Sequence, residues 1–201
     1  MIRTFLRRPH GAAELTADAI RAIGLLSVVV ALVGWPVLDV SVFAAALLGL
    51  VVPRFLGVRP GLDIAMGIVV LVAAWSALLE LYDAIEYWDF YVHFALNGLT
   101  AAILYVLAVR LGIVPDPASA RVRLSAIVAL TTAFGLAAAV IWELAEWAGF
   151  TFVDQTIFVG YNDTIGDFVA GGLGSLLAGL MGRQVVGESR FLPAQVQGDS
   201  D

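Results

Sequence analysis

The sequence predicts an all-α fold, a polytopic transmembrane bundle of about six helices with both termini in the cytoplasm. Three observations predict it. The chain of 201 residues is 61% hydrophobic and 14% charged, with a mean hydropathy of +0.93, whereas a soluble domain is roughly 25% charged. Apolar runs long enough to cross a bilayer, ~20 residues for ~30 Å of hydrocarbon, recur along the chain. All eleven basic residues are arginine, and they collect in alternate connecting segments.

The first run covers residues 19–34. Arg3, Arg7 and Arg8 precede it, which resembles the start of a secretory signal. It reaches Gly34 without a small-x-small cleavage pattern and meets Trp35-Pro36, so it reads as a retained anchor. The second run, 40–52, is short and limited by Pro53, a tilted hairpin partner of the first. Runs 62–81, 91–113, 124–150 and 164–181 complete the set. Residues 1–18 are then an N-terminal cytoplasmic tail, 19–182 the transmembrane domain, and 183–201 a cytoplasmic tail of disordered composition.

Arginine placement fixes the expected orientation. Arg3, Arg7, Arg8 and Arg21 lie in or beside the N-terminal tail. Arg54 and Arg59 occupy the second loop, Arg110, Arg121 and Arg123 the fourth, and Arg183 and Arg190 the C-terminal tail, while the first, third and fifth loops carry none. Six spans place every one inside, as the positive-inside rule requires. The outer side then receives Trp35, Tyr82, Tyr87, Trp88, Tyr91, Trp147 and Tyr161, an interfacial aromatic belt. The chain has no cysteine, which excludes disulfides and thiolate metal sites and leaves the redox compartment open.

The same topology sends Glu80, Asp83, Glu86, Asp89, Glu143, Glu146, Asp154, Asp163 and Asp167 to the outer leaflet, with His93. Helical spacing gathers them. Asp89, His93 and Asn97 share one face of the fourth helix, Glu143 and Glu146 are three apart near the end of the fifth, and Asp163 and Asp167 four apart at the start of the sixth. Charged groups in hydrocarbon face the bundle interior or a wet cavity. Asp89 and Asp163 stand where helices begin and would serve equally well as N-caps; Glu86 and Asp154 read as solvated loop residues. Glu80, Asp83, Glu143 and Glu146 read as lying at helix C-termini, where the macrodipole disfavours negative charge, with no arginine on their side. Protonation, a charged His93 or a bound cation would relieve them. The candidate metal ligands are therefore His93, Glu143, Glu146, Asp163 and Asp167, with Glu80, Asp83, Asp89 and Asn97 around them. Oxygens with one imidazole suit Mg²⁺, Ca²⁺, Mn²⁺ or Zn²⁺. On the last helix, Asp167, Gly171, Ser175 and Gly179 recur every four residues beside a stripe of Gly166, Ala170, Gly174, Ala178 and Gly182. Such small-residue faces let membrane helices approach closely, which turns Asp167 toward protein.

Asp89-Phe90-Tyr91-Val92-His93-Phe94 resembles the D-x-x-x-H-F opening of VanZ-like membrane proteins. Glu143-Leu144-Ala145-Glu146 resembles their E-x-x-Q, and Asp163 to Asp167 with the glycines that follow resembles their closing D-x-x-x-D helix. The E-x-x-E-W form and the Asp-Thr-x-Gly-Asp run are more similar to the YjdF-like inner-membrane proteins of unknown function. The resemblance spans residues 62–182. It implies a multi-pass protein of the bacterial inner (plasma) membrane with a polar site, and no known reaction.

Three functions compete. One is a binding or accessory protein whose cluster holds a divalent cation or recognises an envelope component. The second is a metal-dependent membrane enzyme acting on a lipid-linked or lipid-headgroup substrate. The third is a proton or cation transporter. A single membrane histidine excludes histidine-rich di-iron centres, and neither H-E-x-x-H nor G-x-S-x-G occurs. Transport is disfavoured by the absence of a midplane acid and of an inverted repeat. The first reading leads. It assigns no catalytic residue and no organic cofactor; it expects the lipid bilayer as partner and no nucleic acid, and leaves oligomeric state open.

Overall fold

The computed structural model describes residues 2–116 and 122–186. The C-terminal tail expected at 183–201 lies largely outside the described residues. Among those described the structure is helical throughout: α1 (Ile2–Phe5), α2 (Gly11–Gly34), α3 (Val37–Leu56), α4 (Pro60–Leu78), α5 (Leu81–Ala84), α6 (Trp88–Arg110), α7 (Leu124–Phe152), α8 (Tyr161–Leu180) and α9 (Gly182–Val186). Five of them, α2, α3, α4, α6 and α7, are long and apolar enough to cross a membrane. Helix α8 has 20 residues, about 30 Å at 1.5 Å per residue, and packs in the same bundle with its polar face turned to α6 and α7. The chain is a polytopic helical bundle, and its many exposed aliphatic side chains, such as Val33, Val37 and Ile141, require a lipid solvent.

Two three-helix groups make up the bundle, α2–α3–α4 and α6–α7–α8, joined where α4 packs on α6. Leu50, Met66 and Val70 from the first group meet Ala102, Val106 and Ile127 from the second in one core. Helices α6 and α8 run parallel, both starting at the end that carries the carboxylates. Their backbones touch: a Cβ built on Gly174 would stand 1.9 Å from the Phe94 carbonyl oxygen, and one on Gly98 would stand 2.7 Å from that of Gly174. The expected small-residue face is thus real, and Asp167, Gly171, Ser175 and Gly179 are all buried on it.

Several helix ends depart from the sequence reading. The second span is not short, since Pro53 lies inside α3. A proline near the end of a helix costs one backbone bond without stopping the chain. The stop comes at Gly57, whose φ of 66° allows its N–H to return to the Arg54 carbonyl at 3.2 Å, a glycine C-cap. Helix α7 runs 29 residues, about 44 Å, beyond the hydrocarbon thickness. Helix α2 begins at Gly11, well before the apolar run. Between α4 and α6 the chain breaks twice, because Glu80 (φ 56°) and Tyr87 (φ 60°) are both left-handed, a conformation uncommon outside glycine.

The arginines gather at the opposite end from the carboxylate-rich loops. Arg21 donates to both oxygens of Asp63, to Asp18 at 2.7 Å and to the Leu50 carbonyl at 3.0 Å. Arg7 pairs with Glu14 at 2.8 Å, and Arg54 lies 3.7 Å from Glu14 and 3.4 Å from Asp18 while donating to the Arg7 carbonyl at 2.8 Å. Arg110 reaches the carbonyls of Phe55 and Leu56 and the Thr4 hydroxyl. Helix α1 is drawn into this network, with Phe5 stacked on Phe55 at 4.3 Å. The sequence carries its signal in Glu14, Asp18 and Arg21 at helical spacings; the partner Asp63 comes from another helix and is not legible from spacing.

Candidate functional site

Among the described residues, the other end of the bundle holds carboxylates and no arginine. Helix α6 presents Asp89 in its first turn and His93 one turn later; α8 presents Asp163 in its first turn and Asp167 one turn later. Neither acid is an N-cap: those positions are Tyr87 and Gly160, without side-chain caps. Inside the first turn the acids still benefit from the positive end of the macrodipole. Because α6 and α8 are parallel and in backbone contact, the second turns of both face each other.

There Asp89, His93 and Asp167 converge. One ligand atom from each lies within 4.8 Å of the others. His93 Nε2 is 3.4 Å from Asp89 and Nδ1 is 3.7 Å from Asp167. Both gaps exceed an ordinary hydrogen bond of about 2.7–3.2 Å. Asp167 is 3% exposed, the most buried of the carboxylates at this end. Asn97, one turn below His93, is buried too, its amide against Gly171, where a Cβ would stand 2.8 Å from Nδ2. Ser175 closes the floor by donating to the Gly171 carbonyl at 2.7 Å.

The remaining candidates form a margin. Glu143 is tied to α8 by the Thr164 hydroxyl, which donates to Oε2 at 2.7 Å; its Oε1 is buried and has no hydrogen-bond partner among the described residues. Asp163 lies within electrostatic reach of Asp89, Glu143 and His93. Glu146 is half-buried one turn beyond Glu143. Glu80 and Asp83 are exposed, on the broken link between α4 and α6. The dipole argument fails for Glu143 and Glu146. Helix α7 continues to Phe152, so Glu143 and Glu146 sit more than a turn inside it, where the terminal charge has faded. Glu80 directly follows Leu79, the C-cap of α4, and so stays at the unfavourable end of that helix, while Asp83 lies in the separate turn α5. Asp154 is satisfied locally by the Thr156 N–H at 2.9 Å, which lowers its pKa, as befits a solvated loop carboxylate.

Tyr82, one of the belt aromatics, turns inward instead. Its hydroxyl donates to the Ala73 carbonyl at 3.2 Å. Burial first, then the nearby carboxylates of Asp89, Glu146 and Asp167, push its pKa upward, so it stays a neutral donor at physiological pH. Trp88 likewise donates to Ser76 at 2.9 Å, fixing the start of α6. Trp35, Tyr87, Tyr91, Trp147 and Tyr161 are exposed, as interfacial residues should be. The inward turn of Tyr82 follows from the left-handed breaks beside α5, which no periodicity reports.

No curated protein and no solved structure matches the chain. The model of the family described as "Predicted membrane protein (DUF2238)" matches residues 19–187, nearly the whole helical bundle, and the chain belongs to that family.

Proposed function

We propose that this membrane protein binds a divalent cation at Asp89, His93 and Asp167, on the outer face of a bacterial inner membrane, as a VanZ-like or YjdF-like accessory or binding protein. The observation that carries the reading is the convergence of those three side chains from two helices. Donor atoms at most 4.8 Å apart suit an ion whose ligands lie at about 2.3–2.6 Å, the calcium range, and tightening would suit a smaller ion. Three carboxylates, Asp89, Asp163 and Asp167, surround one imidazole with no arginine near among the described residues, so a cation would relieve their repulsion at low dielectric. The orphaned Glu143 Oε1 supports the same reading, since a buried acceptor needs a partner. Glu143, Glu146 and Asp163 would then complete or surround the ion rather than form its core. The alternatives, an enzyme acting on a lipid-linked substrate and a proton or cation transporter, gain no specific observation.

Elemental analysis and thermal unfolding before and after chelation test the site. About one divalent ion per chain is expected, and chelation should lower the unfolding temperature of the wild type but not of Asp167→Asn or His93→Ala. Binding at a hundredfold excess over Kd stabilises by about 2.7 kcal/mol, a readily measured shift. No bound metal together with no chelator effect would overturn it.

The orientation has its own test. With both termini cytoplasmic, reporter fusions after Asp39, Tyr87 and Gln155 should read as external, and those after Arg59 and Pro115 as internal. A consistent external signal at Arg59 refutes the arrangement.

A further inference from the structure

Helix α1 has one face tied to the bundle and one face left open. On the tied face Thr4 is buried, its hydroxyl accepting from Arg110 at 3.0 Å, and Phe5 stacks on Phe55. Arg54 donates to the carbonyls of Phe5 at 3.4 Å and Arg7 at 2.8 Å. The Leu6 N–H returns to the Ile2 carbonyl at 3.0 Å, so Ile2 and Leu6 share the open face. They are 69% and 71% exposed. Arg3 stands beside them and Arg8 follows. Both are exposed, and neither guanidinium has a hydrogen bond or ion pair among the described residues.

We infer that this face is an interfacial anchor for anionic phospholipid in the leaflet at the arginine end, with Ile2 and Leu6 among the upper acyl chains and Arg3 and Arg8 on lipid phosphates. Depth is the first argument. Helix α3 has 20 residues, about 30 Å, one thickness of hydrocarbon. Helix α1 is fastened to the last turn of α3 through Arg54 and Phe55, and to Arg110, the last residue of α6. It therefore lies at the boundary between hydrocarbon and headgroups, where amphipathic segments settle. Apolar surface is the second. Burying one such aliphatic side chain is worth at least about tenfold in an equilibrium constant, and the acyl boundary is the apolar phase at this level. Charge is the third. Among the described residues nine arginines at this end meet four carboxylates, Glu14, Asp18, Asp63 and Asp116. Arg7, Arg21 and Arg54 already hold the first three, and Asp116 has an interaction of its own. Arg3 and Arg8 thus have no acid within the protein to meet, and a guanidinium's planar fork of donors suits phosphate.

The anchor is independent of the carboxylate cluster, and its test reads where the open face lies. The chain has no cysteine, so Ile2→Cys gives a single attachment point for a nitrobenzoxadiazole fluorophore. The labelled full-length protein is placed in nanodiscs of phosphatidylcholine, alone or with an equal part of phosphatidylglycerol. Nitroxide-bearing lipids then quench from the bilayer and iodide from water. The lipid quencher should reach the label and iodide should not. Adding phosphatidylglycerol should raise the ratio of bilayer-shielded to water-exposed label by about fivefold per arginine. Arg3→Gln with Arg8→Gln should remove that rise. Leu6→Ser should lower the ratio by at least about tenfold in both lipids and keep the response to phosphatidylglycerol. All three side chains are exposed, so these variants should keep the bundle, which thermal unfolding checks. Free access of iodide, an unchanged ratio in Leu6→Ser, or a full response to phosphatidylglycerol without Arg3 and Arg8 overturns the assignment. So does a label that neither quencher reaches, which would make a protein surface, such as a second copy, the occupant.

Discussion

Gly174→Ala should be among the most damaging single-methyl changes available in this chain. The added carbon would meet the backbone of α6 at Phe94, 1.9 Å from the carbonyl oxygen and 2.8 Å from its carbon. A flexible side chain can swing away from such an intrusion, but a helix backbone cannot. The two helices must separate, and every contact on either side of the crossing loosens with them. Overpacking costs about 1–3 kcal/mol, occasionally more, and here the upper end applies, offset by less than about 1 kcal/mol of helix propensity. Gly166→Ala is the matched control, because a Cβ there meets nothing within 4 Å; it should be neutral or slightly stabilising. Denaturant titration in a mild detergent would compare them. Equal stability of the two variants would show that α6 and α8 are not in backbone contact.

Asp63→Ala should cost about 3–5 kcal/mol, the usual consequence of removing one partner from a buried ion pair. Asp63 and Arg21 side chains are 10% and 11% exposed, and Arg21 also anchors Asp18 and the Leu50 carbonyl. Loss of Asp63 leaves a buried guanidinium with too few acceptors and weakens the junction of α2, α3 and α4. Replacing both partners by apolar residues, Arg21→Met with Asp63→Leu, should recover much of the loss, since a well-packed apolar pair is often as stable as a buried ion pair. Glu86→Ala, in an exposed link, should change stability by less than about 0.5 kcal/mol. The same unfolding measurement applies, and a double variant no better than Asp63→Ala alone would mean that the ionic network has a role beyond pairing.

The fold class was legible because it depends on composition and run length, quantities that need no knowledge of contacts. Helix ends were less so. Pro53 looked like a stop and Gly57 was one, because a proline penalises only one turn whereas a left-handed glycine redirects the chain. The face of α8 carrying Asp167, Gly171, Ser175 and Gly179 was readable from a four-residue repeat, and so was the pairing of Asp89 with His93. What spacing could not supply was the distance between helices. Asp167 meets His93 because α6 and α8 touch at Gly98 and Gly174, and glycine in a sequence does not name its partner. The position of Tyr82 beside the carboxylates depends on Glu80 and Tyr87 adopting positive φ, which neither residue type advertises. The ionic network around Asp63 joins residues 42 positions apart and was invisible for the same reason.

Contact between two helical backbones at a single crossing also has a mechanical meaning. At Gly98 and Gly174 the helices have no room to approach and much packing to lose by parting, so the relative motion left to them is a small rocking about that point. The crossing is thus a fulcrum. His93 stands five residues above it on α6 and Asp167 seven residues above it on α8, lever arms of about 8 and 10 Å. Whatever draws those side chains together closes the scissors above the fulcrum, and the geometry of a rigid lever then moves α6 against α8 below it.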